Sequence, residues 1–418
     1  MPSAESPSER PSFRQALRFW FKLGCISFGG PAGQIAIMQT ELVEKKRWIE
    51  QDRFLHALNY CMLLPGPEAQ QLATYCGWLL HGTRGGIVAG VLFVLPAAIL
   101  LWGLGVLYVT LGHVAAVAGV FETLKPAVFA IIAAAVIKLG RKALKKPERW
   151  ALAAVSFVAI YFFNAPFPAI VLGAAIIGWF VEKQQPRSVT PAPSVVSPWR
   201  HAAKVLAVGL PLWFTPILLA AVVLGPRDTL VQEGIFFSKA AMVTFGGAYA
   251  VLPYVAQQAV EHYAWLSGPQ MLDGLGLAET TPGPLVLVLQ FVGFLGGYQN
   301  PGALSPLVAA TLGAAITTWT TFVPCFLWIF IGAPHLERLR GVARLNGALG
   351  AVTAAVVGVI LNLAVWFAGP VLFPAGRVDT IAVAVALAAF IALQRFKVDL
   401  LWIVLTAGIL GALRGVGI

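Results

Sequence analysis

The sequence predicts an all-α, polytopic membrane protein made of two inverted-topology repeats, with broken or re-entrant helices and one linking transmembrane helix. Three observations predict it: a scarcity of charge, a series of long apolar segments and an internal duplication. Of the 418 residues, 58% are hydrophobic and 11% are charged. A soluble domain carries about 25% charged residues, and this chain could not cover a water-facing surface with less than half that supply. Apolar stretches at 85–111, 203–224 and 303–331 exceed the ~20 residues that a membrane span needs.

The duplication appears when the sequence is displaced by 217 residues without a gap. Phe19, Lys22, Phe28-Gly29-Gly30, Val43-Glu44, Trp48, Leu55, Leu58 and Pro65-Gly66-Pro67 then fall on Phe236, Lys239, Phe245-Gly246-Gly247, Val260-Glu261, Trp265, Leu272, Leu275 and Pro282-Gly283-Pro284. Matched Gly, Pro, Trp and intramembrane Lys are not what a shared apolar composition produces. The expected units are 13–182, a linker plus an extra transmembrane helix at 183–229, and 230–417. Residues 183–200 are rich in Pro, Ser and Gln and read as a solvated linker, and 203–224 is the added helix. One extra crossing sets the second unit upside down relative to the first. Inverted repeats are a recurring transporter architecture, with the substrate held between the repeats near the midplane.

Charge supports the inversion. The loop 41–53 holds Lys45, Lys46, Arg47 and Arg53, whereas its counterpart 259–270 holds no Lys or Arg. Further cationic loops lie at 138–149, 183–204, 333–345 and 394–400. A cytoplasmic N-terminus places all of them inside, as the positive-inside bias requires. Spans are then expected near 85–111, 117–138, 150–163, 166–182, 203–224, 303–331, 342–367, 381–393 and 400–417. The net charge of +11 follows from this loop bias and calls for no nucleic acid. The lipid bilayer is the expected partner, and a homo-oligomer is compatible with everything above.

The repeated motifs lie in segments with helix breakers at their centres. Proline removes a backbone donor and clashes inside a helix, and glycine tolerates unusual backbone angles. If 19–39 and 54–82 each crossed the membrane, the Lys45–Arg47 cluster would fall outside. The expectation is therefore four re-entrant hairpins, two from each side, with tips meeting at the midplane. The rival arrangement is thirteen ordinary spans.

Non-helical backbone at membrane depth is tolerated only where protein buries it or where it lines a cavity. The candidate substrate-binding residues are accordingly Lys22, Ser27, Phe28, Gly29, Gly30, Pro65, Gly66, Pro67 and Glu68 in the first half. In the second they are Lys239, Thr244, Phe245, Gly246, Gly247, Glu279, Pro282, Gly283 and Pro284. Half-helices starting near Gly33, Glu68, Tyr249 and Leu285 would present free N–H groups and positive dipole ends to an anion. Lys22 and Lys239 would add cations, with snorkelling toward the interface as the bland alternative. Glu68 or Glu279 could carry a coupling proton or cap a half-helix. Ser27 and Thr244 could donate to an oxyanion. Glu122 and Lys125 lie at i, i+3 and read as a structural pair. Cys25, Cys61, Cys76 and Cys325 form no CxxC and read as small buried hydrophobes. The dispersed His residues, with no HExxH, P-loop or nucleophile elbow, point to no metal, no cofactor and no enzyme.

Phe28-Gly29-Gly30-Pro31 with Trp48-Ile49, Leu64-Pro65-Gly66-Pro67-Glu68, Thr244-Phe245-Gly246-Gly247 and Glu279-Thr280-Thr281-Pro282-Gly283-Pro284 resemble the chromate ion transporter family in its long, two-domain form. The resemblance spans nearly the whole chain. It implies export of chromate from the bacterial cytoplasm as a secondary process, giving chromate resistance. Sulfate or another tetrahedral oxyanion, and a passive anion channel, remain the alternatives.

Overall fold

Helix formation begins at Ser12. Its hydroxyl accepts the Gln15 amide at 3.3 Å, and the Gln15 side chain accepts the Ser12 amide at 2.8 Å, a capping box that satisfies two otherwise orphaned donors. From there the computed structural model describes residues 11–28, 30–181, 198–245, 247–332 and 343–417. All regular elements among the described residues are helical.

The first half comprises α1 (Phe13–Ile26), α2 (Gly30–Gln39), α3 (Gln51–Cys61), α4 (Glu68–Leu111), α5 (Ala115–Ala143), α6 (Pro147–Phe163) and α7 (Phe167–Val181). α8 (Pro198–Leu224) follows. The second half repeats the order as α9 (Thr229–Val243), α10 (Ala248–Ala256), α11 (Gly268–Thr280), α12 (Val288–Gln299), α13 (Pro306–Gly332), α14 (Ala343–Leu372), α15 (Thr380–Arg395) and α16 (Leu400–Gly415). Two elements in the second half match the two arms of α4, which folds back at His81-Gly82, where Gly82 has φ +62°. A Cβ on Gly77 would come within 2.4 Å of the Ala89 side chain, so the arms 68–80 and 83–111 lie side by side.

The 217-residue offset seen in the sequence holds in the backbone. α2 and α10 each widen into a π turn, at Thr40–Lys45 and at Gln257–His262. Arg47 and Ala264 then share a left-handed conformation, with φ 53° and 50°. Neither is the residue type that this region favours, so the turn is imposed by the surrounding fold in both copies.

The motif segments are re-entrant hairpins. Trp48 packs edge-on against Phe19 with centroids 5.4 Å apart, and Trp265 repeats this on Phe236 at 5.6 Å. A straight helical traverse of the same length would separate such residues by roughly 40 Å. The second hairpin of each half closes likewise. Tyr60 lies 6.5 Å from Tyr75, and Gln299 at the end of α12 donates to Gln270 at the start of α11 at 3.2 Å.

The halves are inverted. The long arm of α4 and α13 occupy equivalent places in the two repeats, and they run antiparallel against one another. Gly86 meets the Phe330 ring and Gly90 meets the Phe326 ring at one end. Trp102 Nε1 donates to Thr311 Oγ1 at 3.1 Å toward the other. The outer helices are exchanged as well: α6 and α7 pack on α14, while α15 and α16 pack on α5. Small residues permit this. Gly119 sits against the Gly411 carbonyl and Gly178 against that of Gly347, the close backbone approach that membrane helices use in place of a hydrophobic driving force. α8 packs on α9 and α13.

α4, α5, α8, α13 and α14 are long and apolar enough to cross a membrane, and the chain is a multi-pass membrane protein. The observed helices fall on the expected spans within a few residues. One helix start moves: α2 begins at Gly30, three residues before the expected Gly33. Residues 182–197, which include most of the expected linker, lie outside the described residues, as does most of the cationic loop at 333–345.

Candidate functional site

The hairpin tips of the two halves bond to each other reciprocally. α1 ends at Ser27, where φ −80° and ψ 69° leave the helix, and α9 ends at Thr244 with φ −79° and ψ 86°. That departure frees the two carbonyls. The Gly283 amide donates to the Ser27 carbonyl at 2.8 Å, and the Gly66 amide donates to the Thr244 carbonyl at 2.7 Å. Each Pro-Gly-Pro tip is thus held by the Phe-Gly-Gly tip of the opposite half. Gly66 and Gly283 have φ +120° and +103°, which a side chain would strain. A Cβ would also strike Cys325 Sγ at 2.7 Å in one and the Ala97 methyl at 2.5 Å in the other.

Two buried glutamines lock the junction. Gln34 Nε2 donates to the Ser27 carbonyl at 3.2 Å and to the Gly283 carbonyl at 2.5 Å. Gln71 Nε2 donates to the Pro65 carbonyl at 2.8 Å. Their displaced counterparts are Val251 and Val288, so the junction is symmetric in backbone and asymmetric in side chains.

Half-helices start at this junction. α4 starts after Pro67, α10 after Gly247 and the short 3₁₀ turn Leu285–Leu287 after Pro284, and no side chain caps any of the three. The first-turn N–H groups of an uncapped helix lack intrahelical partners and favour negative charge. Phe28, Gly30, Glu68, Phe245, Gly247 and Glu279 are partly exposed, whereas Pro67, Pro282, Gly283 and Pro284 are buried. Tyr249 donates its hydroxyl to Glu279. Gly29 and Gly246 lie outside the described residues.

Several expectations change here. The Ser27 and Thr244 hydroxyls donate one turn back, to the Leu23 and Ala240 carbonyls, both at 2.6 Å. Their protons are therefore not offered to an oxyanion in this conformation. The Gly66 and Gly283 amides are likewise committed across the junction. Lys22 and Lys239 are exposed on α1 and α9. Lys22 lines a groove of about 310 Å³ with Arg18, Glu41, Lys46 and Trp48, outside the tip junction. Lys125 faces Asp273 of α11 at 3.9 Å rather than Glu122. Tyr108 Oη donates to the same carboxylate at 2.9 Å. Cys25 is exposed, while Cys61, Cys76 and Cys325 are buried.

Four polar residues inside the fold escaped the motif reading: Gln34, Tyr249, Asp273 and Glu233. Only Glu233 carried a usable signal, since an acid inside an apolar helix is a functional candidate by default. Its place next to the linker boundary concealed it.

The arrangement suits binding and passage. It offers uncapped helix starts, buried amide groups and two acids, and among the described residues it groups no nucleophile with a base. Comparison with known proteins agrees. The chromate transporter family profile matches residues 14–179 and 231–412. The chromate transport protein of Cupriavidus metallidurans is 30% identical over 391 residues, covering 92% of this chain and 89% of that protein. That of Pseudomonas aeruginosa is 31% identical over 414 residues, covering 96% and 92%. A probable chromate transport protein of Synechococcus elongatus is 29% identical over 356 residues, covering 85% and 84%. No solved structure matches the chain. The chain belongs to the chromate transporter family, whose members are transporters and not enzymes.

Proposed function

We propose that this chain, with its family membership as premise, exports chromate from the cytoplasm as a secondary transporter and so gives chromate resistance. What carries the reading is the junction at which Gly66 and Gly283 each bond to the opposite half. Interrupted helices of two inverted units converge there, and their uncapped starts supply partial positive charge to a tetrahedral dianion. The units are 13–182 and 230–417, joined by 183–229. The N-terminus is cytoplasmic in a bacterial inner membrane, because that orientation keeps the Lys45–Arg47 turn and the 138–149 loop inside.

Lys22 and Lys239 act in this scheme from outside the junction, steering the anion. Lys22→Ala should therefore raise KM for chromate, most at low ionic strength, while leaving kcat largely intact.

The test is uptake into energised everted vesicles. Vesicles containing the protein should accumulate labelled chromate above its equilibrium level, and excess sulfate should compete weakly. Strong sulfate competition with poor chromate accumulation would assign the site to sulfate. Uptake that only equilibrates with the applied gradient would make the protein a passive channel.

A further inference from the structure

α9 carries a carboxylic acid that none of the tip chemistry uses. Glu233 is fully buried, neither side-chain oxygen makes a hydrogen bond of full geometry, and the Gly297 backbone amide is the donor beside it. It lies in a cradle of glycines, with Oε1 2.4 Å from where a Gly296 Cβ would be and Oε2 2.8 Å from where a Gly313 Cβ would be. No cation among the described residues faces it. The nearest acidic neighbour on its own helix is Asp228, the α9 N-cap. α8 meets α9 around Ile217 and has no charged residue from 205 to 224. α12 offers only Tyr298, α10 only Tyr249 and Tyr254, and α13 has no charged residue at all. Burying an ionised carboxylate without a cation or solvent is costly at such a place.

A line of further unpaired polar atoms starts at this acid and ends at the first Pro-Gly-Pro tip. Along one face of α13, Gly313 touches Glu233, Thr317 touches Gly293, and Cys325 touches Gly66 beside Gln71. Thr317 Oγ1, Thr321 Oγ1 and Gln71 Oε1 are buried without a hydrogen-bond partner. Positions 313, 317, 321 and 325 are one helical turn apart, so successive groups are separated by ~6 Å of rise and the whole line by ~18 Å. A single water bridges two polar groups at such a spacing where there is room for it, and a buried water needs polar partners of this kind. Matching Pro324 to Pro96 places Gly85, Ala89, Phe93 and Ala97 on the equivalent face of α4, and Ala16 stands where Glu233 does. The first half therefore has no such line.

We propose that Glu233 is the protonatable group that couples transport to proton movement, and that Thr317, Thr321 and Gln71 line the route between it and the first tip. The proposal rests on the transport reading above and adds the coupling ion to it. Glu233 gives up its proton to the hydroxyl and water chain on one side and is reprotonated by water from the other side when the hairpin shifts. Each hydroxyl accepts one proton and passes on another, and no electron moves. With the proposed orientation, Glu233 lies toward the outer face, so protons enter as the dianion leaves.

The experiment uses the purified full chain in proteoliposomes with a chromate gradient, an internal pH dye and a parallel measure of chromate flux. Wild-type chromate flux should drive opposite proton movement. Glu233→Gln should lose that proton movement while chromate still equilibrates, and Thr317→Val with Thr321→Val should slow it several-fold. Infrared spectra in detergent should show a carboxylic acid carbonyl band that Glu233→Gln removes. Wild-type chromate flux without proton movement, a sodium requirement in its place, unchanged proton movement in Glu233→Gln, or no infrared band removed by that substitution would each overturn the coupling while leaving transport standing. Wild-type liposomes that carry no chromate would overturn both readings.

Discussion

The hairpin turn of the first half and that of the second share a backbone and differ in charge. In the first, Lys46 Nζ sits 5.9 Å over the Phe19 ring and 5.2 Å over the Trp48 ring. At the same place in the second, Tyr263 stacks on Trp265 with centroids 4.4 Å apart and planes at 9°. The slot between the two aromatics needs a flat or cationic partner, and both solutions fill it. The cationic solution lies in the turn that holds Lys45, Lys46 and Arg47, and the aromatic one in the turn that holds no Lys or Arg. The interior differs in the opposite sense. The first half contributes neutral amides, Gln34 and Gln71, to the junction beside one acid, Glu68. The second contributes the acids Glu233, Asp273 and Glu279, whose counterparts are Ala16, His56 and Met62. Duplication kept the scaffold and divided the chemistry.

The largest expected effect breaks the symmetry at the tips. Gly66→Ala and Gly283→Ala force a side chain into a left-handed backbone and into a neighbour. Each should reduce chromate uptake by about 10²-fold, the scale of a site misplaced by an ångström, at normal protein levels in everted vesicles. Parent-like uptake by both would remove the tip backbone from the site. Gln34→Leu comes next. It strands the Gly283 carbonyl without its side-chain donor, while the Ser27 carbonyl keeps the Gly283 amide, and should cost about 1–3 kcal/mol, read as thermal unfolding in detergent. Val251, its counterpart, should tolerate Leu with a much smaller change. Lys46→Tyr imports the second-half solution into the first-half slot. It should keep stability within about 1 kcal/mol of the parent, whereas Lys46→Ala empties the slot and should fall further. The smallest effect is a gain. Ala264→Gly relieves a left-handed alanine and should add up to about 1 kcal/mol, with Arg47→Gly behaving alike if the two turns are equivalent.

Much of this was legible before any coordinates. Phe-Gly-Gly and Pro-Gly-Pro announce helix breaks because glycine and proline act on their own backbone, and the breaks fall where those residues do. Lys45, Lys46 and Arg47, set against an uncharged counterpart, announce inversion because charge bias is a property of a loop and a membrane side. The site was less legible. Ser27 and Thr244 were expected to offer hydroxyls and instead offer carbonyls. Lys22, prominent as a cation within an apolar helix, lies on an exposed face.

By itself, then, the sequence determined the all-helical membrane class, the duplication, the positions of the breaks and the sorting of charge between turns. Each depends on composition or on interactions within a few residues along the chain. The tertiary structure alone decided that each Pro-Gly-Pro tip is held by the opposite half, that α6–α7 and α15–α16 exchange partners, and that Glu233 faces no cation among the described residues. Those outcomes depend on residues about 200 positions apart being packed together, and burial by a distant segment leaves no periodic trace in the chain that it covers.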